Sequence, residues 1–124
     1  MTPDKNHLPG ELAAQLLERE NAQRAAEIPD DIRELVTLLA EECAEGAQAC
    51  TKILRFGLTI NPWTGKHNRD VLEYELGDVV AAIRALHALG VVDIDRILQR
   101  ADRKLRALRA DDGRLRHARI PEGA

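Results

Sequence analysis

Aromatic side chains are almost absent from this 124-residue chain, which holds one Phe, one Trp and one Tyr. Its core must therefore be aliphatic, and its wealth of Ala, Leu, Arg and Glu suits helices. No apolar run reaches the ~18 residues of a membrane-spanning helix, so no membrane contact is expected. The start, MTPDKNHLPGELAAQ, has neither the basic nor the apolar region of a signal peptide. There are only two cysteines, Cys43 and Cys50, seven positions apart on one apolar stripe. They read as buried thiols rather than as a disulfide or a zinc pair, which fits a reducing cytoplasm. Strand-like alternation and internal repeats are also missing. At this length one helical domain is expected.

What remains is four helical segments with clear punctuation. Pro3, Pro9 and Gly10 mark residues 1–10 as a flexible N-terminus. A first helix is predicted from Glu11 to Glu27, with a break at Pro29. Asp30 or Asp31 caps a second, running to Phe56 and stopped by Gly57. LTINPWTGKHN reads as loop through Asn61-Pro62 and Thr64-Gly65. A third helix spans Arg69 to Leu89 before Gly90, and Asp93 caps a fourth from Ile94 to Arg109. The helical domain thus covers 11–110 and leaves a basic, mobile tail at 111–124. The fold predicted is all-α: an antiparallel bundle of about four helices. Long aliphatic stripes on so small a chain point to a homodimer or homotetramer.

Charge is divided unevenly. Residues 1–95 carry nine Lys/Arg and seventeen Asp/Glu, a net −8, whereas residues 96–124 carry a net +5. The acidic part holds two carboxylate pairs at helical spacing: Glu42 with Glu45, and Glu75 with Asp78. At ~100° per residue, Glu42 and Glu45 fall near −80° and −140° from a stripe through Ile32, Leu39, Cys43 and Cys50. Glu75 and Asp78 fall near −60° and −120° from a stripe through Leu72, Leu76 and Val79, on the same ~100° step. Both pairs occupy the same-handed shoulder. An antiparallel pairing, stripe to stripe, therefore brings all four together, whereas a parallel one separates them. Four carboxylates at one point repel each other. A hard divalent cation, Mg²⁺ or Mn²⁺, takes such oxygen ligands and removes the conflict. Glu41 lies near 180°, away from the convergence.

These residues carry a family resemblance. Glu-Glu-x-x-Glu in EECAE, followed by Glu-x-x-Asp in ELGD, resembles the MazG-like, all-α nucleoside triphosphate pyrophosphohydrolases. AQACTKILRFG and LEYELGDVVAAI are similar to the surroundings of the two motifs in phage-type members, and ADRKLRALR to the Lys-bearing last helix. The likeness covers residues 30–110. It implies a Mg²⁺-dependent hydrolase that cleaves a nucleoside triphosphate to a monophosphate and pyrophosphate. It assigns the metal to Glu42, Glu45, Glu75 and Asp78, and leaves Glu41 or Glu45 to activate water. Lys104 matches the family lysine.

Other residues are read from their own chemistry. Lys52 and Arg55 suit a phosphate tail, or are solvated surface cations. Trp63 stacks on a base, or anchors its loop to the bundle. His67 and Asn68 stand at the entry to the second acidic helix. Phosphoribosyl-ATP pyrophosphohydrolase is the nearest alternative, having the same helical architecture and acidic motifs. A non-enzymatic interaction or nucleic-acid-binding module is the alternative of another class. Nucleic acid is not the expected partner, because the basic residues of the last helix surround it without interleaved aromatics. A di-iron site would need Glu-x-x-His pairs, which neither motif supplies.

Overall fold

The computed structural model describes residues 9–110 and 114–123. Four helices follow in order: α1 (Gly10–Ala26), α2 (Asp30–Phe56), α3 (Asn68–Ala88) and α4 (Ile94–Arg109). Each agrees with its predicted span to within a residue at either end. Among the described residues there is no strand, only an isolated antiparallel bridge between Ile60 and His67. No helix among them is long and apolar enough to cross a membrane. The chain divides into compact units at 1–34 and 35–124, a boundary that falls inside α2.

In the first unit the Pro9 carbonyl accepts from the Ala13 N–H at 3.0 Å and opens α1. No residue of α1 is buried. The Arg33 guanidinium donates to the Ala25 carbonyl near the helix C-terminus, where a cation meets the negative end of the dipole. The expected flexible segment 1–10 lies outside the described residues except for Pro9 and Gly10.

The second unit carries the chemistry. Gly57, at φ 86°, ends α2, and Gly90, at φ 74°, follows α3; a side chain would strain either position. The Asp93 carboxylate accepts from the Asp95 N–H at 2.9 Å and caps α4. In the expected tail, 111–113 and Ala124 lie outside the described residues. Within 114–123, the Pro121 carbonyl accepts from Arg109 at 2.8 Å, and Leu115 and Ile120 are half-buried.

Two buried asparagines organise the loop between α2 and α3. The Asn68 side chain donates to the Gly57 carbonyl at 2.8 Å, and its backbone N–H donates to Thr59 at 2.9 Å. The Asn61 N–H donates to the Lys66 carbonyl at 2.8 Å, while Asn61 Oδ1 accepts from the Trp63 N–H at 2.9 Å. The loop is therefore closed by its own polar groups, as buried backbone requires.

One expectation fails. The stripe through Cys43, Ala47, Cys50 and Leu54 does not face the interior of the chain: all four are exposed, and both cysteines are free. The inward face of α2 is Leu35, Leu39, Glu42, Gly46, Ala49, Ile53 and Phe56. This face is centred near −70° on the scale used above. On α3 the inward residues Asn68, Val71, Glu75, Val79, Ala82 and Leu86 are displaced to the same hand by a similar angle. Small residues at 44, 46, 47 and 49 give α2 an apolar surface on two sides, so apolarity alone does not select the inner one.

Candidate metal centre

The rotation of α2 and α3 places acids on their inward faces. Glu42, Glu75 and Asp78 each offer a carboxylate oxygen within 4.8 Å of the other two, and all three are half-buried. Contact between the helices starts where Asn68 meets Gly57 and recurs where Glu75 meets Glu42. It runs backwards along α2 as it runs forwards along α3, which makes the pair antiparallel, as the angular argument required.

The cluster is electrostatically unsatisfied. Oε2 of Glu42 and Oε2 of Glu75 are sealed from solvent with no hydrogen-bond partner, a costly state for a carboxylate oxygen. Burial pushes the Glu42 carboxyl above the usual carboxylate range, and the charges of Glu45, Asp78 and Glu41 push it further. Burial is also the largest cause of the rise at Glu75, followed by its hydrogen bond with Glu45 and by the charges of Glu45, Asp78 and Glu42. Glu45 thus stands beside the three-carboxylate cluster rather than within it, and its side chain is exposed. Glu41 is exposed and reaches the cluster through its field on Glu42.

An all-oxygen donor set from three carboxylates on two rigid helices is able to hold a metal ion. Open space lies one helical turn from Glu42. Gly46 is buried one helical turn after Glu42, yet a methyl group built on it would meet nothing within 4 Å. Comparison with protein families, with curated proteins and with solved structures finds no match. The assignment therefore rests on the geometry and on the resemblance of the two acidic motifs.

The space at Gly46 yields a prediction. Gly46→Ala and Gly77→Ala each relieve a helix of glycine and should stabilise by about 0.5–1 kcal/mol. Only Gly46 faces inward, beside Glu42. The expected result is a raised unfolding temperature for both variants, with the further rise on adding Mg²⁺ reduced in Gly46→Ala alone. Equal Mg²⁺ responses in the two variants would show that the space is unused.

Two of the clefts that border the loop gather candidate residues. One, of about 440 Å³, is lined by Gln48, Thr51, Lys52, Arg55, Phe56, Asn61, Trp63 and Thr64. The structure thus gathers Lys52, Arg55 and Trp63, three residues singled out from sequence. Trp63 is 80 % exposed, so it is not an anchor packed on the helices. No acid of the cluster lines this cleft. The other cleft, of about 550 Å³, includes Glu75 itself, with Lys66, His67, Asp70, Val71 and Tyr74. Of its residues, sequence reasoning reached only Glu75 and His67. The missed signal was Tyr74, one of three aromatics in the chain, directly preceding a proposed ligand. Lys104 is half-buried on α4 and belongs to neither cleft.

Proposed function

We propose that this chain is a divalent-cation-dependent hydrolase that cleaves nucleoside triphosphates to monophosphates and pyrophosphate, and that it works as a homo-oligomer. The observation that carries the reading is the convergence of Glu42, Glu75 and Asp78 with two buried, unpartnered carboxylate oxygens. Both acidic motifs of the resemblance contribute to that one point. Mg²⁺, or Mn²⁺ in its place, would neutralise the phosphate oxygens and lower the pKa of a bound water.

The remaining tasks fall to the chain's own residues. Glu42, Glu75 and Asp78 would hold the cation, and Glu45 would be available as a fourth donor. Glu45 and Glu41 are the candidate bases, both close enough to act on the carboxyls of the cluster. Water adds across the anhydride between the α and β phosphates, its proton passes to the base, and the bond to the bridging oxygen breaks with pyrophosphate leaving. Lys52 and Arg55 provide cations for a polyanion beyond the cluster, and Trp63 an exposed ring. Lys104 keeps its place as a phosphate-binding candidate through the resemblance alone.

Exposed apolar surface supports the oligomer. Only Ala49, Ala82 and Leu86 are buried apolar residues among those described, while Val36 and Leu54 on the outer stripe of α2 are 48 % and 87 % exposed. That stripe, with Cys43, Ala47 and Cys50, is the surface we assign to a second copy.

A panel of ribo- and deoxyribonucleoside triphosphates with Mg²⁺ and a pyrophosphate readout tests the activity. At least one triphosphate should be converted to monophosphate and pyrophosphate in equal amounts. Turnover of none of them, with phosphoribosyl-ATP cleaved instead, would move the assignment to that substrate.

A further inference from the structure

The two clefts flanking the loop are not equivalent, because only one reaches the acids. Glu75 forms part of the wall of the 550 Å³ cleft and of the carboxylate cluster. A molecule held at the cluster through its phosphates therefore continues into this cleft without crossing the loop. The volume lies within the usual range for small-ligand sites, about 300–1,000 Å³.

Three kinds of group line it. Tyr74 precedes Glu75 on α3 and leaves 70 % of its surface exposed, a flat ring free to stack. Lys66 supplies a fixed cation and His67 an imidazole, both from the returning limb of the loop. Asp70 supplies a carboxylate, a group suited to accepting from sugar hydroxyls. Ring, cation and carboxylate match the base, phosphate and sugar of one ligand class.

The backbone carrying Lys66 and His67 is held in place. The Lys66 carbonyl accepts from the Asn61 N–H at 2.8 Å, and the Lys66 N–H donates to Thr64 Oγ1 at 3.3 Å. His67 pairs with Ile60 in the antiparallel bridge, and its carbonyl accepts from the Val71 N–H at 3.1 Å. Groups fixed before binding lose less entropy when the ligand arrives.

We propose that the cleft between the loop and the start of α3 is a nucleoside-phosphate subsite: Tyr74 stacks on the base, Lys66 and His67 meet phosphate, and Asp70 meets the sugar. The inference deepens the proposed hydrolase by naming where its nucleotide lies, and its test is independent of turnover. Nucleoside 5′-monophosphates are titrated calorimetrically into the full chain with Mg²⁺. The variants are Tyr74→Ala, Tyr74→Phe, Lys66→Ala and Trp63→Ala, each checked for its unfolding temperature.

Stacked rings contribute enough that Tyr74→Ala should weaken binding about tenfold. Tyr74→Phe should retain it, Lys66→Ala should weaken it, and Trp63→Ala should weaken it less than Tyr74→Ala does. Retained binding in Tyr74→Ala together with loss in Trp63→Ala would place the nucleotide across the loop and overturn the proposal. Absence of monophosphate binding to the unsubstituted chain would also overturn it. Binding that depends on Tyr74 in a protein that hydrolyses no triphosphate would sustain the subsite while refuting the hydrolase, so the two readings fail separately.

Discussion

Mg²⁺ added at neutral pH should raise the unfolding temperature of this protein, and Glu42→Gln or Glu75→Gln should abolish that response. The same substitutions should make the ion-free protein more stable. Both carboxyls are raised above their usual value of 4.5, by burial first; neighbouring charge follows at Glu42, and hydrogen bonding and then charge at Glu75. The folded state therefore binds protons that the unfolded state has released. The resulting stabilisation is fully present below about pH 4.5, where both states are protonated, and is lost as pH rises through the folded pKa. Glutamine carries no charge at any of these pH values and escapes the loss.

A cation reverses the trend, because it binds the deprotonated carboxylates and competes with protons. At a hundredfold excess over its dissociation constant it contributes about 2.7 kcal/mol, roughly 10 °C in a chain of this size. Thermal unfolding between pH 4.5 and 8, with Mg²⁺, with Mn²⁺ and with chelator, separates the two effects. If neither cation shifts the midpoint and the glutamine variants gain nothing, the cluster is not a metal centre.

Hydrolysis should rank the acids in the order of their burial and convergence. Glu42→Gln and Asp78→Asn each remove an oxygen donor from the three that meet, and kcat should fall on the order of 10²–10³-fold or more, the size seen when one preorganised electrostatic contact is lost. Glu45→Gln should lower kcat, since it removes a base beside the cluster while leaving the three-carboxylate set intact. Glu41→Gln should cost least, because its carboxylate is exposed and acts on Glu42 through space. Single-turnover rates at saturating Mg²⁺ measure the order. Full activity in both Glu42→Gln and Asp78→Asn would remove the mechanism.

Much of this architecture was legible before the structure. Pro29, Gly57, Gly90 and Asp93 act locally on a few backbone groups, so helix ends follow from sequence. The convergence of the acids followed from the shared hand of the two pairs, given an antiparallel α2 and α3. The inward face of α2 did not. Ala and Gly occupy both sides of that helix, and Cys43 and Cys50 were assigned to the interior for being apolar, whereas they line the outer stripe. Trp63 was legible as a loop residue but not as an exposed one, since its presentation depends on Asn61 bonding to the next turn. The subsite around Tyr74 depends on the loop returning past α3, which no periodicity encodes.

On α2 the acids and the outer apolar stripe lie about a quarter turn apart, on the ~100° step. If the stripe pairs with its own copy about a two-fold axis, the sense of the pairing fixes where the acid clusters open. Antiparallel α2 helices turn both acid clusters to the same side of the assembly; parallel ones turn them to opposite sides. In the first arrangement two triphosphates approach a single surface, and each feels the charge of the other. Occupancy of one centre then opposes occupancy of its twin at low salt, and added salt restores their independence.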